Sequence, residues 1–394
     1  MMKFVFFAVF LAVFAHGVDG FMDSIECATC HRIQTNFWKK SRHANHDSEL
    51  YIAVLEAVAK QTDTLKIEVL SLCSRCHNPE LAMNKNLNTY MFSKILGIKN
   101  SVTREIDEVA KSTSKISNVS CSFCHSIDSI KPNPHGSLAG SELVEWIKEK
   151  GTFSGPFASS ANEFHKNVQK DVFKSDQICL ACHNQVSMKD KNGKPLIISA
   201  YTTGDEMVDL SKSCTDCHMS EIQKNFSVSG SEIAELRGIR EHRFTGGHDI
   251  SQVRSAFLYE YDKESKSIFI QNTSPHMVPT GFGGRLLEFV FIYEDKKGNT
   301  LDQSETRTFG AHYKKNGRPA LQYLADSMQD ERLKGLAKKQ IKLNPPKDAY
   351  KVNIKINYHF ISPELIKEYD LKISPKAAGP MVIEYQNGGS FILE

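Results

Sequence analysis

Apolar positions in the first part of the chain recur at helical spacing in short sets, and after about residue 250 they change to alternation. From Glu49 to Lys60, Leu50, Ala53, Val54, Ala57 and Val58 share one helical face. Ser141 to Lys150 predicts a second helix: Leu143, Val144, Trp146 and Ile147 supply its apolar side, Ser141 can cap it, and Gly151 stops it. A third helix is expected around His165, and the polar runs 84–88 and 111–120 read as surface connections. Beyond residue 250, Ser267 to Gln271, Leu286 to Tyr293, Thr306 to Phe309, Tyr350 to Phe360 and Met381 to Tyr385 read as strands. Val352, Ile354, Ile356 and Tyr358 fall on one face at period two, residues 295–299 and 386–389 supply turns, and one helix from Ala320 to Lys339 is expected between strands.

The pattern predicts a mainly α and irregular domain followed by an all-β, sandwich-like C-terminal domain. The chain opens with Met1-Met2-Lys3, an apolar run from Phe4 to Ala15 and small or polar residues to Gly20, the layout of a secretory leader. A dozen apolar residues are too few to cross a bilayer comfortably, and no later run is long enough, so no integral membrane segment is expected in the mature chain.

All ten cysteines fall in five copies of Cys-x-x-Cys-His: Cys27-Cys30-His31, Cys73-Cys76-His77, Cys121-Cys124-His125, Cys179-Cys182-His183 and Cys214-Cys217-His218. In this motif two thiols form thioethers to porphyrin vinyl groups and the histidine binds the iron, so the sequence predicts five covalently attached haem c groups. Paired zinc ligands and thiol redox sites also use Cys-x-x-Cys. A histidine following five times out of five favours haem, and ten cysteines would overfill two four-thiolate zinc sites. Covalent haem is attached outside the cytoplasm, in agreement with the leader. A periplasmic location is expected, with the cell surface or the extracellular space as alternatives. The expected organisation is a leader at 1–20, a pentahaem domain at 21–250 and a haem-free strand-rich domain at 251–394. The four gaps between motif starts, 46, 48, 58 and 35 residues, leave too little chain for a separate protein core around each haem. The porphyrins must supply much of the core and therefore lie close together.

The formal charge of +3 and pI near 8.2 describe a nearly balanced chain, and the propionates of five haems would make it acidic. With no phosphate-cradling glycine motif either, a nucleic-acid partner is not expected.

The sixth ligands decide function, because a carrier fills both axial positions whereas an enzyme leaves one open. Of the fifteen histidines, His16 is in the leader and five are proximal. His43, His135, His165, His248 and His276 are the expected distal ligands. His43 and His46, three residues apart, would share a helix face beside Trp38. His135 sits in the tight segment Pro134-His135-Gly136, and His276 is framed by Pro275, Pro279 and Gly281, which would let the second domain supply a ligand. His242 and His248 flank the glycine pair Gly246-Gly247, where backbone can approach a flat ring closely, and Arg240 or Arg243 is suited to a propionate. His312 and His359 are less suited, and Met219 and Met277 are alternative ligands by position.

The chain resembles the broad multihaem cytochrome c family related to cytochrome c-554. The resemblance lies in Cys27-x-x-Cys30-His31 followed by Trp38-x-x-Ser41-x-His43-Ala44, in Gly155-Pro156-Phe157 through His165 before Cys179, and in Cys217-His218-Met219. His242 through His248 and Pro279-Thr280-Gly281 are similar to segments of larger multihaem cytochromes with a strand-rich C-terminal domain. The resemblance implies an exported electron carrier, bis-histidine haems in stacked or edge-on pairs, and His43 as a distal ligand. The chain departs from cytochrome c-554 in having five motifs and an additional domain. It also resembles ammonia-forming nitrite reductases in haem number, but their catalytic haem has a lysine in place of the proximal histidine, and all five motifs here end in histidine.

The expected function is single-electron transfer between other redox proteins. The alternatives are an oxidoreductase acting on a small nitrogen or sulfur compound at one open haem, with Tyr201 or a spare histidine as acid-base group, and a homo-oligomeric subunit of a conductive extracellular filament.

Overall fold

A computed structural model describes residues 21–44, 48–63, 66–83, 89, 93, 96–101, 103–104, 119–133, 138–158, 164–184, 203–204, 206–226, 236–384 and 388–393. The leader, His46, His135, Tyr201 and most of the polar connections 84–88 and 111–120 lie outside these residues.

The N-terminal part is built from short helices and irregular chain: α1 (Ser24–Cys27), α2 (Arg32–Trp38), α3 (Ser48–Thr62), α4 (Lys66–His77) and α5 (Pro79–Ala82), followed by one-turn helices at each later motif. Helix α3 is apolar on two sides. Tyr51, Leu55 and Ala59 pack on Val69, Leu70 and Leu81 of α4 and α5. Val54 and Ala57 pack on Leu321, Leu324, Ile361, Leu365 and Leu371 of the C-terminal part. The helix predicted over 49–60 is therefore the strut on which the two parts meet. Glu49, in its first turn, accepts hydrogen bonds from the Ser374 hydroxyl at 2.7 Å and from the Ser374 backbone N–H.

Residues 141–150 do not form the predicted helix. A 3-10 turn (Gly140–Leu143) leads into strand β2 (Val144–Trp146), which pairs antiparallel with β1 (Ile127–Ile130) just after the third motif. The two strands bury Val144 and Ile127 against Phe123 of the motif helix. Four apolar residues in a ten-residue window fit a helix or a strand, and a pairing partner decided between them. His165 likewise lies in extended chain rather than a helix, directly before β4 (Lys166–Gln169), which pairs parallel with β3 (Thr152–Gly155). Strands β5 (Glu221–Phe226) and β6 (Leu236–Arg240) form a hairpin after the fifth motif.

From Phe257 onward the chain is strand-rich. Strands β7 (Phe257–Asp262), β8 (Ser267–Asn272) and β13 (Lys338–Lys342) make a three-stranded sheet in the order β13-β8-β7. A seven-stranded sheet has the path β11-β10-β9-β14-β15, with β12 also on β10 and β16 also on β14. Its members are β9 (Leu286–Glu294), β10 (Thr300–Lys315), β11 (Arg318–Pro319), β12 (Ser327–Asp330), β14 (Lys351–His359), β15 (Met381–Glu384) and β16 (Ser390–Ile392). The alternation read from the sequence sets the register: Val352, Ile354, Ile356 and Tyr358 lie opposite Tyr293, Phe291, Phe289 and Leu287. These rows face Phe257, Ile268 and Ile270 of the smaller sheet in one shared core, so the two sheets form a sandwich.

The helix expected from Ala320 to Lys339 is also replaced by strand. Its Ala, Leu and Lys content favours a helix, but residues 327–330 extend β10 and 338–342 extend β8. Gly335 between them has its Cα against the Pro275 carbonyl, where a side chain would collide. Tertiary pairing has overridden local preference. Among the described residues, no helix is long and apolar enough to cross a membrane.

Phe291 is fully buried at the centre of the sandwich. Phe291→Ala is expected to destabilise this part by about 3–5 kcal/mol, read as a lowered calorimetric transition. A change below ~1 kcal/mol, the scale of a surface substitution, would contradict the packing described.

Candidate haem sites

Each Cys-x-x-Cys-His segment forms a turn of helix, which brings positions i, i+3 and i+4 to one side. Motif one bridges α1 and α2, with His31 N–H bonded to the Cys27 carbonyl at 2.8 Å; motif two ends α4. Motifs three, four and five are the helices Cys121–His125, Gln177–His183 and Cys214–His218. Local sequence starts these turns: Ser120 caps the third through the Phe123 N–H at 3.0 Å, and Ser213 with Asp216 forms a capping box on the fifth. Gly140, at φ +55°, lies against the Arg75 carbonyl and Cys76, a close approach that only a residue without Cβ allows.

All fifteen motif residues line one continuous cavity of about 3260 Å³. Ordinary small-molecule pockets occupy roughly 300–1,000 Å³, so this space matches several large groups in contact. Thiols of different motifs also touch across it. Cys27 neighbours Cys121, Cys76 neighbours Cys182 and Cys179 neighbours Cys214, each close enough to act on the other's charge, as Cys124 is to Cys182. Motif one therefore adjoins three, three adjoins four, and four adjoins both two and five. The neighbouring Cys27 holds the Cys121 thiol down to about 7, and burial pushes Cys73 and Cys124 up to about 12.

Across the cavity, histidine rings face one another in pairs. Ring centroids are 6.2 Å apart for His31 and His165, 6.4 Å for His43 and His183, 6.4 Å for His125 and His242, and 6.2 Å for His218 and His276. Half of that separation, 3.1–3.2 Å, equals a metal–nitrogen bond of about 2 Å plus the radius of a five-membered ring. The paired residues therefore fit an iron between them. At the second motif, the ring stacked on His77 is Tyr51, at 4.7 Å.

Backbone carbonyls hold several of these imidazoles from behind. His125 Nδ1 bonds the Ser154 carbonyl at 2.7 Å, His242 the Arg240 carbonyl at 2.8 Å and His276 the Met277 carbonyl at 2.8 Å; His218 bonds the Thr245 carbonyl. Because a carbonyl only accepts, Nδ1 carries the proton and Nε2 keeps its lone pair. Burial pushes His43 down to about 3 and His77, His183 and His242 down to about 4, so these rings are neutral, as a metal ligand must be.

Of the two histidines flanking Gly246-Gly247, His248 is the expected ligand. His242, not His248, lies opposite His125, because hairpin β5–β6 ends two residues before His242 and the turn that follows, with Phe244 at φ +47°, carries His248 away. His248 still lines the cavity, where Arg42 and Arg285 act on its charge and its Nε2 is buried without a hydrogen bond. His43 lies in a turn after α2 rather than on a helix, its ring 4.3 Å from that of Phe244. Trp38 lines the cavity, with its indole N–H on the Val119 carbonyl at 2.9 Å. Arg240 bonds the Thr215 carbonyl at 3.2 Å, and Arg243 pairs with Glu241 and Asp249 at 3.5 and 3.7 Å. His312 and His359 lie outside the cavity lining, each 3.6 Å from a glutamate. Among the described residues, no group of three or more His, Cys, Asp or Glu converges to hold a bare metal ion.

Replacing His242 by alanine is expected to convert one low-spin haem per chain to high spin, whereas His248→Ala leaves that count unchanged. Spin quantitation of the oxidised holoprotein by electron paramagnetic resonance checks the pair, and the reverse result would assign the ligand to His248.

Comparison with known proteins adds two likenesses. Residues 26–126 match the family model described as cytochrome c554 and c-prime. The solved structure of a penta-heme cytochrome c552 from Thermochromatium tepidum superposes with a TM-score of 0.64 at 18% identity, over 92% of this chain and 97% of that one. No curated protein matches. The first likeness covers the first three motifs and the second shows a shared fold across both parts of the chain. Both likenesses are to c-type cytochromes, the first over residues 26–126 and the second in fold.

Proposed function

We propose that the chain holds five covalently attached haem c groups and passes single electrons through them between other redox proteins. The observation that carries this reading is the single cavity into which all five motifs open, with four proximal histidines each facing a second imidazole. The ligand pairs proposed are His31 with His165, His183 with His43, His125 with His242, and His218 with His276. Bound there, haem supplies a one-electron iron couple whose potential is tuned by axial ligands, burial and hydrogen bonds.

The protein's part is to fix both imidazoles of a pair so that neither moves when an electron arrives. The carbonyls of Ser154, Thr245, Arg240 and Met277 do this by holding Nδ1–H. The thiol contacts give the proposed electron route, which is not the sequence order: one to three to four, with the fourth motif joined to both two and five. An exported, periplasmic holoprotein accords with the leader and with attachment of covalent haem outside the cytoplasm. The domain division at about residue 250 belongs to the same reading, with the strand-rich part supplying His276 to the fifth site.

Mass spectrometry of the holoprotein is expected to show five haem masses retained after denaturation, and a reductive titration should take up five electrons per chain. Fewer than five of either would overturn the proposal. A high-spin fraction that binds carbon monoxide and turns over a small nitrogen or sulfur compound would favour the enzyme instead.

A further inference from the structure

The segment before the fifth motif is stitched to the loop that carries His276 by contacts that the ligand pairs do not require. Val208 N–H bonds the Pro275 carbonyl at 2.8 Å, and the Thr203 and Thr280 hydroxyls are 3.1 Å apart. Thr280 also donates to Glu206 Oε2 at 3.3 Å. The other Glu206 oxygen, Oε1, accepts from Arg332 Nη1 at 2.8 Å. Arg332 gives the rest of its fork to Asp330, Nε to Oδ1 at 2.8 Å and Nη2 to Oδ2 at 2.7 Å. The Arg332 and Glu206 side chains are only 1% and 6% exposed. A buried pair has few solvent molecules to screen it, so its charges act at longer range than surface charges do.

The same corner contains a second clamp. The side-chain amide of fully buried Asn272 reaches the carbonyls of His276 at 2.9 Å, Leu333 at 3.2 Å and Lys334 at 3.1 Å. It ties the backbone of His276 to the two residues that follow Arg332.

We propose that Glu206 and Arg332 are positioning residues for the fifth haem site: they lock the chain before Cys214 to the loop bearing His276, and their buried charges set the potential there. The proposal rests on reading His276 as the ligand opposite His218. A hydrogen-bonded carboxylate near the ring favours the more positive, oxidised state of the site, and the guanidinium opposes it. Removing either charge should therefore move one potential, in opposite directions.

The test uses the full-length holoprotein, read by potentiometric titration with electron paramagnetic resonance. His276→Ala first identifies the haem concerned, as the one that loses its low-spin signal; an unchanged set of low-spin signals would overturn the ligand reading itself. Glu206→Gln keeps the hydrogen-bonding shape and is expected to raise the midpoint potential of that same haem while the other four stay in place. Arg332→Gln is expected to lower it or to release His276, and Arg332→Lys to restore part of the shift. If Glu206→Gln leaves all five potentials unmoved, lowers that one, or moves all five together while His276→Ala behaves as stated, the positioning role is overturned and the ligand assignment stands. Because Glu206→Gln removes no packing volume, it remains informative even if the arginine variants fold poorly.

Discussion

A neutral imidazole has one proton and one free lone pair, and the nitrogen that keeps the proton decides whether the ring can bind a metal on the side that matters. The sites depend on this choice, and the chain makes it with main-chain carbonyls. His125 is set by Ser154 in β3, and His218 by Thr245 beyond the β5–β6 hairpin. These partners lie 29 and 27 residues away in sequence. The short strands between motifs, which bury little by themselves, therefore have a positional task. β3 and β4 pair in parallel so that Ser154 reaches His125 while His165, just before β4, faces His31.

The same constraint explains why the two parts of the chain are joined so firmly. The sandwich has a core of its own, with Phe289, Phe291, Ile354 and Ile356 at its centre. It nevertheless buries Leu321, Leu324 and Leu365 against α3 and places His276 opposite His218. The loop bearing His276 stays in register with His218 only if the interface is stiff, and the α3 contact on one side and the Glu206–Arg332 pair on another provide two separated points of attachment.

Much of this was legible in the sequence where the signal was periodic or covalent. The alternation in 352–358 became β14 with those residues buried, and the helical face in 49–60 became α3. The five motifs marked the residues that line the one cavity. Segments with mixed signals were not legible: 141–150 and 320–339 have helix-compatible composition, and only a partner strand distant in sequence makes them extended. The choice of His242 over His248 was hidden for a related reason. Both flank the same glycines, and it is the end of β6, a strand the sequence did not reveal, that sets which ring faces His125.

The central claim is that at least four irons are held between two neutral imidazoles from this one chain. Near-infrared magnetic circular dichroism of the oxidised, monomeric holoprotein reads axial ligand types directly. The account predicts bis-histidine intensity equivalent to four or more haems per chain; bis-histidine intensity for three haems or fewer would contradict it.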